Sequence, residues 1–234
     1  MANRTLKGAT YILASVLGIS TMCFALLYVF GVFIFFGVVV MPVAYNGMMS
    51  GLVLALTLLL LPATKESADK IPWYDWVLMI LVLAPAVYVF LFYKKRVVGS
   101  MLASPLEITL TVMMIIAVLE TIRRSVGMGV VYMTIVFPFY ALFADYMPWL
   151  LHGPASSVAR TSGYLFLFND GMFGTTVEAI ATTVVAYMLF GQLLFMTGAG
   201  KFYMDLALSI FGRFIGGAAK SAVVASGLFG TISG

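Results

Sequence analysis

The sequence predicts an all-α integral membrane protein with about six transmembrane helices, an amphipathic arm helix and the start of a re-entrant hairpin. Of its 234 residues, 63% are hydrophobic and only 9% are charged, whereas a soluble domain is about 45–50% apolar and about 25% charged. The mean hydropathy is +1.09. A soluble fold of this size leaves much of its surface in water, so we expect a lipid bilayer to cover the apolar surface.

The first two spans share one uncharged apolar stretch, residues 11–62. A helix crosses the bilayer with about 20 residues, so this stretch is too long for one span. The Met41-Pro42 pair and the Tyr45-Asn46-Gly47 sequence after it are typical of a break. We therefore expect spans over about 11–38 and 47–62. The first run also exceeds the roughly 7–15 residues of a signal-peptide core, so it should remain as a membrane anchor.

Four further apolar segments follow, and charges or aromatic residues mark their ends. Trp73, Tyr74 and Trp76 open the third span, as aromatic residues do at a membrane surface. The third span ends at the basic sequence Lys94-Lys95-Arg96. The polar segment 150–170 is expected at the membrane interface. The four spans cover about 73–93, 106–122, 127–149 and 173–196, and a short amphipathic helix covers about 201–213.

The basic residues predict the orientation, because short cytoplasmic loops carry the excess of lysine and arginine. Arg4 and Lys7 favour a cytoplasmic N-terminus. With six crossings, Lys94-Lys95-Arg96 disagrees, because this cluster would then lie outside. The loops that agree contain Lys65, Lys70, Arg123, Arg124 and Lys201.

Small side chains dominate residues 216–234, where 13 of 19 are Gly, Ala, Ser or Thr. The run 218–229 is too short to cross a bilayer, and the Gly-Thr-Ile-Ser-Gly sequence after it favours a chain reversal. A helix that stops within the membrane leaves carbonyl groups without partners, so such a segment must be buried in protein or line a cavity. Secondary transporters bind cations and anionic substrates with broken helices of this kind.

The same segment also fits a second interpretation, as a contact between two helices. Gly212 with Gly216, and Gly230 with Gly234, both have the G-x-x-x-G spacing that lets membrane helices approach closely. Composition alone leaves both interpretations open.

Six blocks of the sequence are distinctive: LETIRRSVG (119–127), DGMFG (170–174), FGQLL (190–194), TGAGKF (197–202), GGAAKSAVVAS (216–226) and LFGTISG (228–234). Together they resemble the fused permeases of the tripartite ATP-independent periplasmic (TRAP) transporters, most closely the branch served by TAXI-type binding proteins. The resemblance extends over residues 73–234, whereas the first 70 residues resemble the family only in hydropathy. One departure is Ala218, where the family has a proline that fixes the first turn of a helix.

The resemblance implies a secondary active transporter that imports a small organic anion, a carboxylate, by a sodium-coupled elevator mechanism. A periplasmic TAXI-type solute-binding protein would deliver the substrate, and the permease would lie in a bacterial or archaeal cytoplasmic (inner) membrane. Residues 1–125 would form a small-subunit-like (Q-type) four-helix scaffold. Residues 126–234 would begin the large-subunit-like (M-type) transport region and stop within its first re-entrant hairpin, so we expect an N-terminal portion of a longer permease.

The resemblance also implies roles for residues of that hairpin. Hard cations take oxygen ligands, and sodium is the only cofactor expected, as the coupling ion. The start of the hairpin helix is expected at Gly216, Gly217 and Lys220. The expected sodium ligands are Gly230, Thr231, Ser233 and Gly234.

Two carboxylates near span ends each have two interpretations. Glu120 precedes Arg123 and Arg124 by three and four residues, so it forms either a helix-end ion pair or part of the coupling machinery. Glu178 lies about one turn into span six. It is either a coupling residue, as intramembrane carboxylates often are, or a residue at interface depth.

The polar segment before span six contains two candidates for docking of the binding protein, Arg160 and Asp170. Asp170 has a simpler interpretation as a helix cap. Lys201, Asp205 and Arg213 flank the short amphipathic helix, where charged side chains can reach the headgroups while the helix lies in the interface.

Two other function classes fit the sequence less well than transport. A non-transporting scaffold subunit would bind no ion, and the broken glycine-rich segment argues against it. A membrane enzyme needs paired carboxylates, a histidine cluster or an activated nucleophile, whereas this chain has nine dispersed acids, one histidine and one cysteine. These counts exclude an internal disulfide and a cysteine-based metal site. No G-x-x-x-x-G-K-[ST] sequence is present, so we expect no ATPase within this chain.

Overall fold

The computed structural model describes residues 4, 6, 8–63, 71–97, 102–154 and 156–233. In this part of the chain there are helices and turns but no β-strand, and six helices are long and apolar enough to cross a bilayer. The prediction of an all-α membrane protein with about six spans is therefore confirmed. The helices are α1 (Ala9–Val29), α2 (Val32–Phe35), α3 (Pro42–Leu60), α4 (Trp73–Val97), α5 (Pro105–Ser125), α6 (Met128–Phe143), α7 (Val158–Leu167), α8 (Thr175–Ala179), α9 (Val185–Met196), α10 (Ala199–Phe211) and α11 (Gly217–Ser233).

The chain divides into two compact units, Met1–Glu178 and Ala179–Gly234, which we call unit one and unit two. The division reflects the packing of the backbone. The predicted boundary at residue 125, between the scaffold region and the transport region, is a functional boundary and stays a prediction.

Helix α3 is the most buried of the six candidate spans, and it packs along α4 in the centre of unit one. Two glycines of α3 make this close approach possible. A Cβ on Gly51 would lie 2.3 Å from the Cβ of Ala86, and a Cβ on Gly47 would lie 3.0 Å from Val89 Cγ1. Small residues at such contacts let membrane helices gain dispersion energy along their whole length.

The N-terminus of α3 lies earlier than the sequence analysis expected. Pro42 occupies the first turn of the helix, where its missing N–H costs nothing. The expected break at Tyr45-Asn46-Gly47 is wrong, because these residues are helical and buried. Packing explains their burial: the Tyr45 ring stacks on Tyr28 at 3.6 Å between centroids.

The expected first span, residues 11–38, is also interrupted. Helix α1 ends at Val29, and Gly31 follows with a φ of 67°. This left-handed conformation is one that glycine adopts without steric cost, so the chain turns there and forms only the four-residue α2. An apolar run shows where lipid lies, but it does not show where the backbone turns.

The interface segment 150–170 contains one regular helix, α7. Ser157 caps it, accepting a hydrogen bond from the Arg160 backbone N–H at 3.2 Å. Phe166 and Leu167 at its other end are buried. Although the segment is polar, the end of α7 is therefore part of the apolar core of unit one.

Unit two contains α9, α10 and α11. The sixth candidate span, Thr175–Met196, includes a π-helical turn at Ile180–Val184 that the sequence did not predict. The expected amphipathic helix over 201–213 corresponds to α10, which begins and ends two residues earlier. Its expected role as an arm helix stays a prediction.

Candidate ion-binding segment and charge networks

The glycine-rich segment forms one continuous helix, α11, from Gly217 to Ser233. The expected chain reversal after residue 229 is therefore wrong as far as Ser233, and Gly234 lies outside the described residues. The alanines between Gly217 and Phe229 favour a helix, because alanine is the best helix former. A single glycine in a helix costs only about 1 kcal/mol, so the later glycines do not end it. A Cβ at Gly227 or Gly230 would meet no atom within 4 Å, so crowding does not require glycine at either position.

The start of α11 depends on glycine more strictly. Gly216 has a φ of 73°, and Gly217 follows so closely on the preceding turn that a Cβ there would lie 2.5 Å from the Gly212 carbonyl oxygen. Ser221 then connects α11 to α10. Its buried hydroxyl lies 2.7 Å from the Gly217 carbonyl oxygen and 3.1 Å from that of Ala207. Ser221 is not among the predicted site residues, although it lies in the block 216–226 that contributes to the family resemblance.

A cleft of about 430 Å³ lies within unit two, between α11 and the helices before it. Aromatic rings form one part of its wall, with Phe229 at 4.5 Å from Phe195 and 6.1 Å from Tyr203 between centroids. Ser226 and Gly230 form the small-residue part. The cleft thus combines ring faces with backbone and hydroxyl groups along one side of α11.

The expected sodium ligands occupy the last part of this helix. Gly230 lines the cleft, while the exposed Thr231 donates its hydroxyl hydrogen to the Leu228 carbonyl at 2.8 Å. Ser233 is the last helical residue, and its side chain, like Gly234, is outside the described part. Carbonyls inside a helix accept hydrogen bonds from the next turn, so only those of a final turn can bind an ion.

A buried charge network joins three segments of unit one at Asp75. This carboxylate receives hydrogen bonds from Arg4 at 2.7 Å and from Arg124 at 2.6 Å, and all three side chains are at most 1% exposed. Both arginines also donate to the end of α3. Arg4 Nη1 contacts the Leu59 carbonyl at 3.3 Å, and Arg124 Nη1 contacts that of Leu61 at 3.2 Å. The cations therefore satisfy carbonyls that the end of a helix leaves free.

Glu120 extends this network on α5. Arg123 donates to both carboxylate oxygens, from Nε to Oε2 and from Nη2 to Oε1, each at 2.7 Å. Arg124 Nε also donates to Oε1, at 2.7 Å. The ion-pair interpretation thus describes the geometry of Glu120, Arg123 and Arg124. The coupling role considered for these residues stays a prediction.

A second network lies at the opposite ends of the same two helices. Glu107, buried near the start of α5, accepts hydrogen bonds from Arg96 Nη2 at 2.6 Å and from Tyr88 at 3.2 Å. It also accepts from the backbone N–H of Ser104 at 2.7 Å, which completes a capping box. The antiparallel helices α4 and α5 therefore carry a carboxylate–arginine pair at each end. Arg96, part of the cluster that disagrees with the charge rule, is an internal partner of Glu107.

The DGMFG block forms a tight turn before α8. A Cβ on Gly174 would lie 2.0 Å from the Asn169 carbonyl oxygen, and one on Gly171 would lie 2.4 Å from that of Tyr164. The buried Asn46 on α3 donates to the Phe173 carbonyl at 2.8 Å. This block therefore needs its glycines to pack, and Asn46 is a residue that sequence reasoning missed.

The remaining candidates lie near this turn or on its surface. Asp170 and Arg160 are exposed, on the turn and on α7. Glu178 is half-buried in α8 and lies close enough to Tyr28 to interact with it electrostatically. Docking through Arg160 and Asp170 and coupling through Glu178 both stay predictions.

Asp75→Asn should destabilise the protein by about 3–5 kcal/mol, because two buried arginines would lose their common counter-charge. The measurement is the free energy of unfolding in detergent micelles by chemical denaturation. Glu120→Gln is the matched control, with an expected loss of about 1 kcal/mol, since Arg124 keeps Asp75 and the Arg123 side chain is 38% exposed. Equal losses in the two variants would contradict a special role for Asp75.

Comparison with known protein families identifies the family of this chain. Comparison with curated proteins and comparison with solved structures found no match for this chain. Residues 113–234, more than half of the chain, match the family model described as tripartite ATP-independent periplasmic transporter, DctM component. The match includes α11 and the cleft beside it. It makes the chain a multi-pass component of a transporter whose family works with a periplasmic solute-binding protein. The chain belongs to the DctM family of TRAP transporter permeases.

Proposed function

We propose that this protein is the permease of a sodium-coupled importer for a small carboxylate, delivered by a TAXI-type solute-binding protein, with an elevator mechanism. The observation that supports it most is the place of α11 within the family match. A helix of small residues runs beside a cleft of about 430 Å³ in the part of the chain that matches the DctM component.

Sodium is assigned to the final turn of α11, with Gly230, Thr231, Ser233 and Gly234 as ligands. Sodium needs several oxygen atoms, and a helix offers free carbonyls only in its last turn. The Thr231 hydroxyl now donates to Leu228, which leaves its oxygen lone pairs directed away from that bond. The assignment requires the helix to end close to Ser233.

In this proposal Glu120, Arg123 and Arg124 do not couple sodium to transport, because they form ion pairs with one another in unit one. Glu178 stays a coupling candidate. The alternative, a non-transporting scaffold subunit, gains its support from the two buried networks that hold α4 and α5 together. The two functions predict different uptake. A sodium-coupled importer loses uptake when sodium is removed, whereas a scaffold subunit shows no uptake with or without sodium.

The test of sodium coupling is uptake into proteoliposomes that contain the complete permease and its solute-binding protein. We expect uptake to require an inward sodium gradient. Ser233→Ala should raise the half-saturation concentration for sodium about tenfold, as expected for the loss of about 1.4 kcal/mol of ion binding. Ser209→Ala is the control, because the Ser209 hydroxyl donates within its own helix to Leu206. Uptake that does not depend on the sodium gradient would favour coupling to protons, and absence of uptake would favour the scaffold role. An unchanged half-saturation concentration for sodium would exclude Ser233 as a ligand.

Docking of the binding protein is assigned to the exposed surface around Arg160 and Asp170. Reversal of a rim charge chiefly slows association, so Arg160→Glu should raise the binding-protein concentration needed for half-maximal uptake by several-fold. The maximal rate should stay unchanged. Lys201→Glu, expected on the opposite side of the membrane, is the control. Identical concentration dependence in Arg160→Glu and the unaltered permease would exclude Arg160 from the docking surface.

A further inference from the structure

The turn between α10 and α11 places two cations around one aromatic ring. The Arg213 guanidinium carbon lies 5.2 Å from the centre of the Phe214 ring, and Lys220 Nζ lies 6.0 Å from it. Both distances permit a cation–π interaction. The ion pairs of the described residues all lie in unit one, so in this part of the chain no carboxylate neutralises these two charges.

The same turn exposes apolar side chains beside the charges. Ile215 is 97% exposed and Phe214 is 49% exposed. Gly216, with its φ of 73°, turns the chain directly after them and so directs these side chains away from the packed faces of the two helices. Basic and apolar side chains on one exposed turn are the combination that peptide segments present to an anionic membrane surface.

We propose that this turn is a binding surface for an anionic glycerophospholipid. Arg213 and Lys220 face the headgroup phosphate, while Phe214 and Ile215 enter the boundary between headgroups and acyl chains. A soluble anion would satisfy the two cations but would leave Ile215 in water, so the apolar pair favours a lipid over free phosphate. Charge complementarity favours an anionic lipid over a zwitterionic one. This inference goes beyond import, because it makes the start of α11 sensitive to membrane composition.

The test uses a tryptophan at the position of the bound lipid. Ile215→Trp is tolerated on an exposed side chain, and Trp73, Trp76 and Trp149 are replaced by phenylalanine to remove other emission. The full chain is reconstituted into phosphatidylcholine vesicles that contain either brominated phosphatidylglycerol or brominated phosphatidylcholine. Quenching then reports which lipid occupies the site around position 215.

We expect brominated phosphatidylglycerol to occupy the site in preference to phosphatidylcholine. Each of the two cations should raise the ratio of the two occupancies about fivefold. Arg213→Gln combined with Lys220→Gln should reduce this preference to near unity, whereas Arg213→Lys combined with Lys220→Arg should retain it. Lys94→Gln combined with Lys95→Gln, at exposed lysines of unit one, is the control and should leave it unchanged. A millimolar excess of glycerol phosphate should not compete.

Three results would overturn the proposal. Absence of quenching by either lipid would mean that protein covers the turn. Equal quenching by both lipids would mean that the cations do not select a headgroup. A preference that survives the double glutamine variant would place the anionic lipid on other residues. The readout is independent of transport, so a failure here is distinct from a failure of sodium coupling.

Discussion

The contact of Asp75 with Arg4 and Arg124 is the interaction on which the rest of unit one depends. Removing a charge from water costs several kcal/mol for each ion unless a partner compensates it, so buried charges require partners. Asp75 and the two arginines satisfy one another, and the arginines also take up carbonyls at the end of α3. One carboxylate thus connects Arg4, the end of α3, the start of α4 and the end of α5.

The second pair, Glu107 with Arg96, completes this arrangement at the opposite ends of α4 and α5. Because α4 and α5 are paired at both ends, a shift of one helix along the other would break both ion pairs. Helix α3 packs on α4 through Gly47 and Gly51, where no larger residue fits without a shift. In the described part of unit two, by contrast, no ion pair joins the helices, and Ser221 provides a hydroxyl contact instead. Unit one and unit two are therefore each stabilised internally by a different kind of interaction.

Local patterns predicted much of the fold, and contacts between distant residues escaped prediction. Hydropathy located the six spans, and the spacing of Glu120 with Arg123 and Arg124 indicated an ion pair, because partners one turn apart are visible in sequence. Arg4 and Asp75 are 71 residues apart, and Asn46 and Phe173 are 127 apart. No periodicity relates such residues. Turn propensity misjudged Tyr45-Asn46-Gly47 and the end of α11, because packing and helix propagation override it.

The central claim is that Asp75 and Arg124 act as one unit in stabilising the helix bundle. A double-mutant cycle with Asp75→Asn, Arg124→Gln and both together, followed by free energies of unfolding in micelles, measures this directly. Residues that share a buried network couple by about 0.5–3 kcal/mol, and we predict a coupling of at least about 2 kcal/mol here. Losses that add to within about 0.5 kcal/mol would show that the two side chains act independently and would contradict the account.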